Sequence, residues 1–422
     1  MFHYQKLITI FFATNMNLPI IMALLASTNA MSLPNFFNFL PQQLMDSTFN
    51  LCPIDIPLTC TNNTPIENSC CFESPGGIML QTQFWDYYPP IGANDTFTLH
   101  GLWPDNCDGT YEQFCDDSLN LQVGELKKIL VDEFNDPELY GKMQEVWKNF
   151  NGDDESLWVH EWNKHATCIK TLRPRCYGGE FTKNENIYDF FKISMLLYEK
   201  YPTFDFLAEK GVVPSNDKTY TKAEIADALN EKFDGNSVFF KCNRYHALQE
   251  IWYYHHVQGP VKGEKFVPIP SMLNSNCPET GIKFLPKGKF SPPPNQPPKD
   301  PNANRGYLKL SDHSGCVISN GQWYGQGTCA TFRLIDSQFG GLNLLSSKGV
   351  CGISPSGDLN CNRQNTRSKY QFQMDKNTRE IGYGGNFDWC FNEKRKHGSG
   401  KFVQIPVKLA DGDCESFKLK LT

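Results

Sequence analysis

Past its first thirty residues, the 422-residue chain has no apolar run long enough to cross a bilayer, so no membrane-spanning segment is expected there. Nor is there an excess of basic charge. The 40 Lys+Arg against 46 Asp+Glu give a net of −6, which argues against a protein that coats nucleic acid irrespective of sequence. An enzyme that must release a polyanionic product is compatible with that sign. Sixteen cysteines are present, yet none of them stand as Cys-x-x-Cys, the paired spacing that structural zinc sites use. No internal repeat is evident.

What is present points to export. His3 and Lys6 precede apolar stretches at 7–13 and 18–26, broken by Asn15, Asn17 and Pro19, and Thr28-Asn29-Ala30 offers small residues for cleavage. Residues 1–30 therefore read as a signal peptide and not as a lasting anchor, which predicts no stable membrane insertion after cleavage. An even number of cysteines on such a chain reads as a disulfide framework. Two sequons, at Asn62 and Asn94, fit the same route.

The clearest boundary is the proline-rich run 290–301, which reads as an extended spacer. It divides the chain into a first domain at 31–285, a linker at 286–303 and a second domain at 304–422. Ten cysteines precede the linker and six follow it, so each part can close its own bridges. Residues 303–422 carry 16 basic and 10 acidic side chains, leaving 24 and 36 before them; the second part is basic and the first acidic. In the first part Ile187, Phe190, Phe191, Leu197 and Tyr198 recur at helical spacing within 183–201, and Thr221 with Glu224 forms a capping box opening a helix near 222–233. Residues 97–100 and 250–257 read as strands. That mixture predicts an α+β domain, followed by a small β-rich domain with β-prone runs such as 400–409.

Two segments carry chemistry: Phe97-Thr98-Leu99-His100-Gly101-Leu102-Trp103-Pro104-Asp105, and Trp158-Val159-His160-Glu161-Trp162-Asn163-Lys164-His165-Ala166-Thr167-Cys168. On a helix advancing about 100° per residue, His160 stacks on Lys164 and Glu161 on His165, so the four groups span roughly 140° of one face. A zinc-binding helix places its histidines four apart; here they are five apart, with a lysine between them, so a zinc hydrolase is the weaker alternative. Two imidazoles with a nearby ammonium suit metal-free phosphoryl transfer. One histidine takes a proton from an attacking hydroxyl, the other gives one to the leaving oxygen, and Lys164 stabilises the charge that develops. In this reading Glu161 orients His165 and raises its pKa, and His100 acts from across a cleft.

Both segments, in this order, resemble the two active-site segments of the ribonuclease T2 family, and the resemblance extends from about Cys52 to Cys277. It implies a metal-independent endoribonuclease without cofactor. His100 would be the acid, His165 the base and His160 a phosphate contact, with Glu161 and Lys164 stabilising the transition state. The products would be 2′,3′-cyclic phosphates, then 3′-phosphates, from single-stranded RNA including rRNA and tRNA. The resemblance to fungal members implies the bridges Cys52–Cys71, Cys60–Cys107, Cys70–Cys176, Cys115–Cys168 and Cys242–Cys277. It also implies a primary base site of Trp103, Asp105 and Tyr111 with low base specificity. Leu157 stands where fungal relatives can carry an aromatic in a second base site. Trp158 and Trp162 read as packing residues, 253–256 as strand and loop, and Lys394-Arg395-Lys396-His397 as a solvated loop. The last third resembles the extension of some yeast members and is read as a module binding RNA, glycan or a retention partner. The expected location is the vacuole lumen or the cell exterior, with release to the cytoplasm under stress. The rival function is a signalling or cell-surface protein of the same fold.

Overall fold

The computed structural model describes residues 52–53, 55–61, 70–290, 304–326, 328–337, 339–397 and 403–422. The signal-peptide reading, the sequon at Asn62 and the spacer 291–301 lie outside the described residues.

The first half is α+β. Its strands are β1 (Ile78–Phe84), β2 (Thr98–Asp105), β3 (Thr219–Tyr220), β4 (Phe239–Cys242), β5 (Leu248–Val257), β6 (Phe266–Pro268) and β7 (Ile282–Lys283). Five of them form one antiparallel sheet in the order β2-β1-β5-β4, with β6 on the far end of β5; β3 pairs with β7 apart from it. Because side chains alternate across a strand, β1 serves both faces. Met79 joins Leu99, Leu102, Ile251 and Tyr253 in the large core, while Ile78 and Leu80 pack with Phe239 and Tyr254 on the other face.

Five α-helices flank this sheet: α1 (Pro137–Val146), α2 (Asp154–Lys164), α3 (Glu185–Lys200), α4 (Thr203–Glu209) and α5 (Lys222–Lys232). The apolar stripe of α3, including Ile187, Phe190 and Phe191, is buried in the large core. Helix α5 opens on the capping box of Thr221 and Glu224, and Asp153 caps α2 by accepting from the Ser156 amide.

The second half is β-rich. Its two antiparallel sheets, of eight and four strands, share a core that includes Leu308, Phe332, Phe372, Trp389 and Val407. The Lys394–His397 stretch is exposed, though Arg395 meets Asp358 at 2.6 Å. All sixteen cysteines are bridged. The first ten make the five pairs that the resemblance implies, and the last six pair as Cys316–Cys329, Cys351–Cys361 and Cys390–Cys414. Residues 48–422 form one unit, so the two halves, each with its own core, are packed together. Among the described residues no helix is long and apolar enough to cross a membrane.

Candidate active site

His100 reaches the cleft through an irregularity. Along the β1–β2 pairing Thr82 faces Gly101 and Gln83 faces Leu99, so His100 is the extra residue of a β-bulge. Regular alternation would put His100 on the same face as Leu102, which is core. The bulge turns it to the side of Trp103 and Asp105, where its ring stacks on Phe84 at 4.3 Å. Trp147 locks the kink by donating its indole N–H to the His100 carbonyl at 2.7 Å.

Helix α2 carries the other groups. Its inner side is pinned by two tryptophans, both fully buried: Trp158 donates to the Trp147 carbonyl at 2.8 Å and Trp162 to the Leu119 carbonyl at 2.7 Å. Leu157 is also buried there and belongs to the core. The helix ends at Lys164; His165 is its C-cap, and a short turn then leads to Cys168, which is bridged to Cys115. His165 stacks on the Trp103 ring at 4.9 Å, and the Lys164 ammonium lies 6.0 Å from the centre of the Tyr111 ring.

Glu161 departs from the sequence reading. Its carboxylate faces β2 instead of His165: Oε2 accepts from the Trp103 indole at 2.6 Å and Oε1 lies 3.6 Å from His100 Nε2. The indole N–H is a fixed donor across the cleft floor, whereas His165 has turned toward Trp103 at the end of the helix. Gly101 makes room for this, since a Cβ there would lie 2.0 Å from Glu161 Oε2.

Burial sets the protonation of the site. It pushes the His100 pKa down to about 3, helped by Lys164 and Lys241. It also drives His160 and His165 well below the usual 6.5, with Lys164 adding to the effect. The expectation that His165 is raised is therefore corrected. Burial raises Glu161 and lowers Lys164, each opposed by attraction between the two. Asp105 is raised to about 8, again by burial and against the pull of Lys164. His100 Nδ1, His160 Nε2 and His165 Nδ1 have no hydrogen-bond partner within the protein.

A cavity of about 440 Å³ gathers His100, Lys164 and His165 with Trp103, Asp105 and Tyr111. His160 lines the adjoining cavity, not this one. Sequence reasoning missed two sets of neighbours. Phe84, Lys241, Glu250 and Trp252 come from the sheet face, and Phe339, Gly340 and Gln373 come from the second half. Glu250 and Trp252 alternate along β5, a signal that was there to read; nothing in the second half marks its contribution. Among the described residues one group has converging metal-ligand atoms: Cys390, Asp411 and Cys414, two of which are the sulfurs of one disulfide.

Residues 76–277 match the ribonuclease T2 family, and residues 300–409 match the RNase T2-like C-terminal domain. A Debaryomyces hansenii protein named Ribonuclease T2-like is 60% identical, over 87% of this chain and 90% of its own length. A Saccharomyces cerevisiae protein of the same name is 41% identical, over 87% and 92%. Among solved structures, that of Actibind, a T2 ribonuclease, is 42% identical with a TM-score of 0.53, covering 56% of this chain and 98% of its own.

Proposed function

The chain belongs to the ribonuclease T2 family and is an endoribonuclease, and on that premise we propose that His165 and His100 are its base and acid in a transphosphorylation of single-stranded RNA. The observation that carries this reading is the single cavity holding both imidazoles, the Lys164 ammonium and the aromatic pair Trp103 and Tyr111.

His165 takes the proton of the ribose 2′-hydroxyl as that oxygen bonds to phosphorus. The bond to the 5′-oxygen breaks, and His100 delivers the proton that this leaving oxygen needs. A 2′,3′-cyclic phosphate results. Water then attacks it with the two roles exchanged and leaves a 3′-phosphate. Lys164 offsets the negative charge on the phosphoryl oxygens, and His160 can hydrogen-bond to them through Nε2, which has no partner within the protein. His100 must be an imidazolium to act as acid. An arriving phosphodiester anion favours that form, as does Glu161 at 3.6 Å when it is ionised, against the burial that lowers it. Trp103 and Tyr111 supply faces on which any base can stack, and the raised Asp105 is placed to hydrogen-bond a base edge, which supports low base specificity. Because attack comes from the 2′-hydroxyl, DNA is not cleaved. The eight bridges and the exposed sequon at Asn94 support passage through the secretory pathway to the vacuole lumen or the exterior.

Purified protein incubated with RNA and a chelator should give 2′,3′-cyclic phosphate ends that convert to 3′-phosphates. His165→Phe should lower turnover about 10²–10⁴-fold with an unchanged circular dichroism spectrum. Ends bearing 5′-phosphate, or turnover near wild type in the variant, would sink the assignment.

A further inference from the structure

The turn joining Thr331–Asp336 to Leu342–Ser346 belongs to the second half, but its tip lies in the cleft of the first. Phe339 stacks on His160 with ring centres 4.0 Å apart and planes within 9°, and it is 6% exposed, buried with the core of the first half. Beside it, a Cβ on Gly340 would stand 3.7 Å from His100 Cε1. The contact extends well beyond this tip. Gln373 donates to the Tyr111 hydroxyl, the Tyr111 amide donates to the Gly384 carbonyl at 2.9 Å, and the Lys369 ammonium meets Asp117 at 3.2 Å. Gly384 and Gly385 both have positive φ, and a Cβ on them would meet Tyr111 O at 2.8 Å and Thr110 Cα at 3.0 Å. Here backbone lies against backbone, a closeness only glycine permits.

An RNA chain must run past the histidines and leave the cleft on both sides. His100, His160 and His165 are 6%, 5% and 3% exposed, and the face of His160 is covered by Phe339. We propose that the C-terminal half is a cap acting in cis on the RNA cleft: the chain rests closed, and polymeric RNA reaches His100 and His165 only when Phe339 leaves His160. The proposal rests on the acid–base reading of that cleft. In the closed cleft burial keeps the imidazoles neutral and short of an acid, and three of their ring nitrogens lack partners. Closure is thus held by the Phe339 stack on His160 and the peripheral contacts, which suits a reversible lid.

The test uses the full chain and two readouts: anisotropy of a short labelled 2′-deoxy oligonucleotide, which binds without being cleaved, and cleavage of polymeric RNA. Phe339→Ala should tighten oligonucleotide binding and raise kcat/KM on RNA, each by about tenfold, because a larger fraction of molecules is open. Lys369→Glu should act the same way and more weakly; since it removes a cation, electrostatics cannot be the source of a gain. Adding Asp117→Lys to Lys369→Glu restores an opposite-charge pair at unchanged net charge and should return affinity to the wild-type level. If Phe339→Ala loses its fold by circular dichroism, Lys369→Glu decides. Binding unchanged or weakened in the folded variants overturns the cap, and a weakened Phe339→Ala would instead make that ring part of the substrate platform. Tighter binding with no cleavage by any form would fail the ribonuclease assignment and leave the cap standing. Cleavage with unmoved binding does the reverse.

Discussion

At the scale of single residues the site turns on what Gly101 leaves room for. Its missing side chain lets Glu161 reach the Trp103 indole, with Oε2 only 2.0 Å from where a Cβ would stand. Gly101→Ala should expel that carboxylate and leave the indole N–H without its acceptor, costing about 1–3 kcal/mol of stability and most of the activity. Urea unfolding and RNA cleavage would register both, and a fully active, equally stable variant would contradict the geometry. Glu161→Gln keeps the size and an acceptor for the indole but removes the ionisable carboxyl near His100. We expect kcat to fall about 10–100-fold with KM little changed, because the effect falls on proton delivery and not on binding. The five residues proposed around the phosphate come from two segments of sequence, although His160 lines the adjoining cavity. Their pairing was not legible there. Helical spacing sets Glu161 under His165, yet the helix stops one residue short, and the strand opposite offers the better donor.

Among elements, β2 and α2 were readable as strand and helix, and α3 and α5 fall within a few residues of their expected spans. The bulge was harder. Leu99 and Leu102 stand three apart yet join the same core on one face of the sheet, which alternation forbids and a bulge requires; that spacing is its trace in the sequence. Trp147 holds the bulge by its bond to the His100 carbonyl. Trp147→Phe should leave that carbonyl unpaired, destabilise by about 1–3 kcal/mol, and lower kcat more than it raises KM. Asp153→Ala, at the start of the same helix, provides the contrast. It should cost about 1 kcal/mol through the lost cap and leave kcat alone. If both variants lower kcat equally, the bulge has no special part in placing His100.

For the whole molecule, buried titrating groups set the pH response. Burial raises Glu73 to about 7, Asp86 to about 6 and Asp105 to about 8, so the folded state keeps protons that the unfolded state sheds above 4.5; their contribution is lost as pH climbs to 8. Burial lowers His100 and His255 to about 3, so their contribution is full above 6.5 and is lost as pH falls toward 3. The two slopes, about 1.4 kcal/mol per pH unit for each group, oppose each other between roughly pH 4.5 and 6.5. Calorimetry from pH 3 to 9 should therefore show a Tm plateau in that acidic window and a decline on either side; a Tm rising steadily from pH 5 to 8 would contradict it. The α+β character of the first half and the β-rich second half were visible in the sequence. The packing of one on the other was not, because it relies on paired glycines and one phenylalanine that carry no period or motif. The bridges add a last consequence. Five close within the first half and three within the second, the widest spanning 106 residues, and none crosses between them. A single proteolytic nick between 291 and 303 would leave two separately cross-linked fragments whose association obeys mass action. Dilution would then separate the halves, as in a zymogen, taking Phe339, Gly340 and Gln373 out of the cleft and leaving its histidines in place.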